Sequence, residues 1–201
     1  MGAVDGAVAA IRAGKPVVLP FDTVYGLCTT AYRSDPVRRL ARLKGRDEAL
    51  PCALVASDLD LLFECVPELR GRAGVIARAL LPGPYTLVLA NPARRFAWLA
   101  GSRPDTIGVR VPVLARDAAA VLARVGAVAA TSANLHGRPD ARSLAEVPEE
   151  IRSACAALID GGDLPGTAST VIDFTGPEPV VLREGAAPAA EALQRVAALA
   201  V

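Results

Sequence analysis

Tyr85-Thr86-Leu87-Val88-Leu89 and Ile107-Gly108-Val109-Arg110-Val111 are two short apolar runs with no helical pattern between them. Both read as strands, and Pro82-Gly83-Pro84 breaks the chain just before the first. Outward from this pair, strands and helices mix. Val17-Val18-Leu19, Ala53 to Ala56, Ala127 to Thr131, Val171 to Phe174 and Val180 to Leu182 read as further strands. Helices are expected over 2–13, with Gly14 as the stop, over 58–64, 67–80 and 113–124, and over 188–199. Ser34-Asp35-Pro36 opens another, with Ser34 as the cap, and it runs out at Lys44-Gly45-Arg46. Ser143-Leu144-Ala145-Glu146 has the form of a capping box for a helix to about Ala154. The class is α/β. The helix-free stretch 85–111 makes a mixed parallel and antiparallel sheet a better expectation than a doubly wound parallel one.

The chain has 201 residues, which suits a single domain over 1–201. No apolar run approaches the roughly 20 residues that cross a bilayer. The N-terminus lacks the apolar stretch of a signal peptide, so the expected setting is cytoplasmic. The 22 basic and 21 acidic residues nearly cancel, which argues against a protein that coats nucleic acid by charge alone. Four scattered cysteines and one histidine, His136, contain no Cys-x-x-Cys pair, so a structural zinc site is not expected. There is no phosphate-binding P-loop, dinucleotide fingerprint or nucleophile elbow.

The polar chemistry gathers at element ends: Asp22, Thr23 and Tyr25 after the first strand, Lys44-Gly45-Arg46 after a helix, Thr131-Ser132-Ala133-Asn134 after a strand, and Ser169-Thr170 with Arg183 late in the chain. Ligands bind at such ends in open α/β sheets. Arginine makes forked contacts to phosphate and lysine acts as a point charge, so the set suits phosphoryl or nucleotidyl transfer. Each segment also has a plain reading: a helix C-cap for Lys44-Gly45-Arg46, a turn for Ser132-Ala133-Asn134, and a solvated face for the basic stretch Arg33–Arg46. Only jointly do they gain weight.

Jointly, the ordered motifs resemble the YrdC/TsaC family: Pro-x-Asp-Thr-Val-Tyr-Gly-Leu (20–27), Lys-Gly-Arg (44–46), Pro-Gly-Pro-x-Thr-Leu-Val (82–88), Gly-Val-Arg-Val-Pro (108–112), Thr-Ser-Ala-Asn-Leu (131–135), Ser-Thr-Val-Ile-Asp (169–173) and Leu-Arg-x-Gly (182–185). The resemblance implies a twisted mixed sheet with a large central cleft. It implies synthesis of threonylcarbamoyl-AMP from L-threonine, bicarbonate and ATP, with Mg²⁺ accompanying the nucleotide and pyrophosphate released. The product would serve modification of adenosine 37 in tRNA, completed by partners of the TsaD, TsaB and TsaE type, with tRNA itself a further candidate partner. Lys44, Arg46, Thr106, Ser132, Asn134 and Arg183 would face ATP, with Lys44 and Arg46 as the catalytic cations. Thr23, Arg110, Ala130 and Ser169 would hold L-threonine, Arg110 taking its carboxylate.

The chain departs from that pattern at five places. Phe21 replaces a small Thr, Asp47 a Pro, Leu50 an Asn that contacts ATP, Val55 a His that touches threonine, and His136 a Ser. Two other functions stay open at this point. One is a relative that forms a carbamoyl-adenylate on another substrate, as in hydrogenase maturation. The other is an RNA-binding module without catalysis, which would use the stretch Arg33–Arg46.

Overall fold

The structure, a computed structural model, describes residues 2–199. Nine strands form one sheet: β1 (Val17–Pro20), β2 (Tyr25–Thr30), β3 (Ala53–Ala56), β4 (Tyr85–Ala90), β5 (Thr106–Arg110), β6 (Ala127–Ser132), β7 (Ala157–Leu158), β8 (Thr170–Asp173) and β9 (Val180–Arg183). Their order is β7-β1-β2-β6-β3-β5-β4-β8-β9. Parallel pairs (β1 with β7, β3 with β5, β4 with β8) stand among antiparallel ones, three of which run in succession from β1 to β3, so the sheet is mixed as expected. The two runs that opened the sequence reading pair antiparallel, Leu87 opposite Val109 and Leu89 opposite Ile107.

Seven helices flank it: α1 (Ala3–Arg12), α2 (Ser34–Leu43), α3 (Leu59–Cys65), α4 (Arg72–Leu80), α5 (Arg116–Val125), α6 (Glu149–Ala154) and α7 (Ala189–Ala197). Strand alternation sorts the core into two sides. Leu54, Leu87, Val109 and Ile172 point to the side where Leu62, Ile76 and Ala192 of α3, α4 and α7 seal them. Cys28, Val55, Val128 and Ala130 point the other way, towards Val8 and Ile11 of α1 and Val121 and Leu122 of α5. On that second side α1 and α5 pack on each other and cover one end only, and the remainder of the face is left open.

Four local expectations change. The stretch after β1 contains a strand that the sequence reading left as a polar segment, β2. All six of its residues are buried, so alternation is absent, and Gly26 lowers its strand propensity. Ser34 is not the cap of α2: Arg33 occupies that position and no side chain caps the helix. The helix expected from Ser143 is a short 3₁₀ turn at Leu144–Glu146, an extended Val147, and then α6. Pro148 is the cause, since it has no N–H and drives the residue before it out of the helical region. Glu146 accepts from the Arg142 N–H at 2.8 Å instead of closing a capping box on Ser143. Helix α4 also begins later than 67, after Gly71 at φ +58°.

Candidate active site

The open part of the sheet is a trough whose floor is made of small residues. In register across the strands lie Ala130, Ala53, Gly108 and Val88. One step along, Gly26 stands opposite Ser132. Large side chains at these positions would fill the trough; these residues leave a cavity of about 530 Å³. Gly26 is required for a second reason. A Cβ there would lie 2.1 Å from the Phe21 ring, which covers it, whereas a Cβ on Gly108 would meet nothing nearer than 3.9 Å.

Lys44 and Arg46 enter at the end of α2. Gly45, at φ +60°, reverses the chain there. The Arg46 N–H donates to the Ala41 carbonyl at 2.9 Å and the Gly45 N–H to that of Arg42 at 3.0 Å, a Schellman closure. Both readings of Lys44-Gly45-Arg46 therefore hold: the glycine ends the helix, and ending it aims the two flanking cations into the cavity. Lys44 is 4% exposed. Its Nζ donates to the carbonyls of Ser132 and Asn134 (2.7 Å for the latter) and to Asn134 Oδ1 at 2.8 Å. Ser132 Oγ donates to the same Oδ1 at 2.6 Å, and Asn134 Nδ2 is held by the Arg138 carbonyl. Ser132 and Asn134 thus build the socket for Lys44. Burial and, after it, the nearby Arg46 charge push the Lys44 ammonium down to about 8.

Arg46 Nη2 donates to the carbonyls of Leu50 and Pro51 at 2.9 and 3.1 Å, while its Nε is buried and unpartnered. Neither Lys44 nor Arg46 forms a salt bridge among the described residues. Arg183, across the trough on β9, is likewise held by neutral oxygen, Nη2 to Ser169 O at 2.7 Å and to Ser169 Oγ at 3.2 Å. Ser169 Oγ also pairs with Thr86 Oγ1 at 2.8 Å.

Arg110 is different. It is 6% exposed and lines the cavity from β5. Its Nη2 forms an ion pair with Asp22 Oδ1 and donates to Thr23 Oγ1 at 2.8 Å. The Phe21 ring lies 5.6 Å from its Cζ, and its Nε is buried with no partner. Burial lowers its pKa and the Asp22 charge opposes that, but a guanidinium stays charged.

Nine of the ten residues singled out from the sequence line this one cavity: Lys44, Arg46, Thr106, Arg110, Ala130, Ser132, Asn134, Ser169 and Arg183. The tenth, Thr23, is fully buried behind Arg110 and absent from the lining, so its hydroxyl serves the arginine and does not face the space. Thr106 donates its Oγ1 proton to the Arg103 carbonyl at 2.9 Å. Sequence reasoning missed Arg103, which lines the cavity and pairs with Asp173 at 2.7 Å. It sits in an irregular loop with no motif to mark it. The substituted positions Phe21, Leu50, Val55 and His136 all line the cavity too.

A family model described as "Telomere recombination", that of the Sua5/YciO/YrdC proteins, matches residues 9–185. The threonylcarbamoyl-AMP synthase of Pyrococcus abyssi is 36% identical over 184 residues, covering 90% of this chain and 53% of that protein. The threonylcarbamoyl-AMP synthase of Halorhodospira halophila is 37% identical over 155 residues, 77% of this chain and 81% of that protein. Among solved structures, P. abyssi Sua5 complexed with L-threonine superposes with a TM-score of 0.85 at 34% identity, over 97% of this chain and 57% of that one. The chain therefore spans about half the length of the P. abyssi relative and most of the Halorhodospira one. E. coli YciO superposes with a TM-score of 0.79 at 28% identity, over 90% and 88%. With most of its length matched by the family model and its fold shared with these structures, the chain belongs to the Sua5/YciO/YrdC family.

Proposed function

We propose that this chain is an L-threonylcarbamoyladenylate synthase, joining L-threonine, bicarbonate and ATP into threonylcarbamoyl-AMP with release of pyrophosphate. The observation that carries this is the charge balance of one cavity. Lys44, Arg46 and Arg183 face it without a carboxylate partner, whereas the buried Arg110 faces it with one, as does the exposed Arg103 through Asp173. Lys44 is buried, Arg46 half-buried and Arg183 exposed at the rim, and three cations without a counter-charge around one cavity favour an anion of several charges, which a triphosphate supplies. A neutralised arginine with unpartnered Nη1 and Nε protons suits a single carboxylate on an otherwise zwitterionic ligand. The relatives' name and the threonine in the P. abyssi complex support the activity itself.

In this reading Lys44 and Arg46 hold the phosphates, and Ser132 and Asn134 keep Lys44 in place. Arg110 takes the carboxylate of threonine. The amine attacks the carbon of bicarbonate, water is lost, and a carbamate forms. A carbamate oxygen then attacks the α-phosphorus, and the bond to the departing pyrophosphate breaks. Lys44 and Arg46 neutralise charge that grows on the phosphoryl oxygens, without having to reorganise. Among the described residues no group of three or more His, Cys, Asp or Glu side chains stands together to cage a metal. Mg²⁺ would therefore ride on the triphosphate, completed by water. The product would pass to transfer proteins of the TsaD, TsaB and TsaE type that modify tRNA.

The test is pyrophosphate release by the pure protein with ATP, Mg²⁺ and bicarbonate, with and without L-threonine, and mass spectrometry for threonylcarbamoyl-AMP. Threonine-dependent product is expected. ATP binding without any threonine-dependent product would point instead to another carbamoyl acceptor. An RNA module built on Arg33–Arg46 is disfavoured by geometry. Arg38 and Arg42 are paired with Glu48, at 3.8 and 2.9 Å, and Lys44 and Arg46 turn inward.

A further inference from the structure

Arg110 is a buried cation whose direction is set from behind. Its Nη2 carries two protons, and two acceptors take them: Asp22 Oδ1 and Thr23 Oγ1, the latter at 2.8 Å. Asp22 is itself fixed, because its Oδ2 accepts from the Val113 N–H at 3.1 Å, just beyond the end of β5. Thr23 is fully buried, and neither residue lines the cavity. In front, the Phe21 ring limits the guanidinium on one face at 5.6 Å. What remains for a ligand are the two Nη1 protons, which pair with nothing among the described residues, and beside them the Nε proton, buried and unpartnered.

We infer that Asp22 and Thr23 are positioning residues for substrate: together they clamp Nη2 of Arg110 so that its remaining N–H groups, those of Nη1 first, present to the carboxylate of the amino acid. This rests on the reading of Arg110 given under Proposed function. Without the clamp an arginine side chain has several rotamers, and a guanidinium displaced by even one ångström loses its alignment with the carboxylate. The second part of the inference concerns charge. Asp22 also cancels part of the Arg110 field, so its orienting effect and its electrostatic effect on an incoming carboxylate have opposite signs. That opposition makes the clamp separable from a general structural role.

Three variants test it, read as the KM for L-threonine in pyrophosphate release and as L-threonine binding by calorimetry, with ATP affinity as the internal control. Asp22→Ala removes acceptor and charge, and the expected result is a KM for threonine raised about 10- to 100-fold with ATP affinity within about threefold. Asp22→Asn keeps an acceptor oxygen for Nη2 but sets its amide NH2 against the Val113 N–H, so it loses the charge and one anchor, and the threonine KM falls between those of the wild type and Asp22→Ala. Thr23→Val removes the second acceptor with no change of charge and raises KM for threonine without altering ATP affinity. If Asp22→Ala fails to fold, as judged by thermal melting, the other two still decide the matter. Equal rises in Asp22→Asn and Asp22→Ala, or no rise in Thr23→Val, would overturn the clamp. Failure of the wild type itself to bind threonine would instead remove the functional reading on which the clamp stands.

Discussion

At one end of the cavity, Lys44 and Arg46 stand among carbonyl oxygens with no acid in contact. At the other, Arg110 is locked to Asp22. Both ends are buried and both are cationic, yet their chemistry differs. Neutral oxygens satisfy the protons of Lys44 while leaving its charge uncompensated; a carboxylate cancels the charge of Arg110 while leaving its Nη1 and Nε protons free. Hydrogen-bond satisfaction and charge satisfaction are thus divided between the two ends. The first end needs charge from its ligand, and the second needs an acceptor.

The largest effect expected from this difference is at the first end. Lys44→Ala removes the buried charge that meets the triphosphate, and pyrophosphate release should fall by about 100-fold or more, near 3 kcal/mol of transition-state stabilisation. Arg46→Ala should be comparable. If neither variant loses activity, the assignment of that end is wrong.

A smaller effect follows from pH. Lys44 is pushed down to about 8, chiefly by burial, so it carries its proton below that pH and sheds it above. Phosphates bound beside it favour the charged form, so ATP binding takes up a proton, and affinity should fall as pH rises through about 8, by at most about tenfold per unit. Folding responds with the opposite sign. Because the folded value lies below the ordinary 10.5, the unfolded chain binds more protons between about 8 and 10.5. The destabilisation from Lys44 is therefore complete below about 8 and is relieved as pH climbs through that window. Calorimetry of ATP binding in buffers of differing ionisation enthalpy checks the first sign, and unfolding of wild type against Lys44→Met checks the second. At the Arg110 end, binding of a simple carboxylate should show no step near 8.

The smallest effects concern the floor. Gly26→Ala places a methyl against the Phe21 ring, whose opposite neighbour is Arg110, and should destabilise by about 1–3 kcal/mol. Combining it with Phe21→Ala should recover part of that loss, which a double-mutant cycle measures. Gly108→Ala meets only atoms at 3.9 Å or beyond and should change stability by less than about 1 kcal/mol. Equal penalties at the two glycines would contradict the view that close contact, and not mere smallness, distinguishes them.

Much of this was legible beforehand, for physical reasons. The antiparallel pair β4 and β5 was visible because nothing helical fits between two apolar runs. The cations were visible because Lys44-Gly45-Arg46 needs a positive φ at its centre, and such a turn fixes where its neighbours point. Strand β2 was hidden because burial on both faces erases alternation. The helix at Ser143 was misread because the capping pattern ignores Pro148 further on. Thr23 and Asp22 were adjacent in the same motif, and only the fold shows that both lie behind Arg110. Arg103 reaches the cavity from an irregular loop, where sequence pattern carries no direction.

The division of the cavity is tested most directly by calorimetric titration of ATP and of L-threonine, separately, into the wild type, Lys44→Ala and Arg110→Ala. The account predicts a crossed result: Lys44→Ala loses ATP and keeps threonine, while Arg110→Ala loses threonine and keeps ATP. If each variant lost both ligands, or if Lys44→Ala lost threonine alone, the two ends would not have the separate roles that their charge partners indicate.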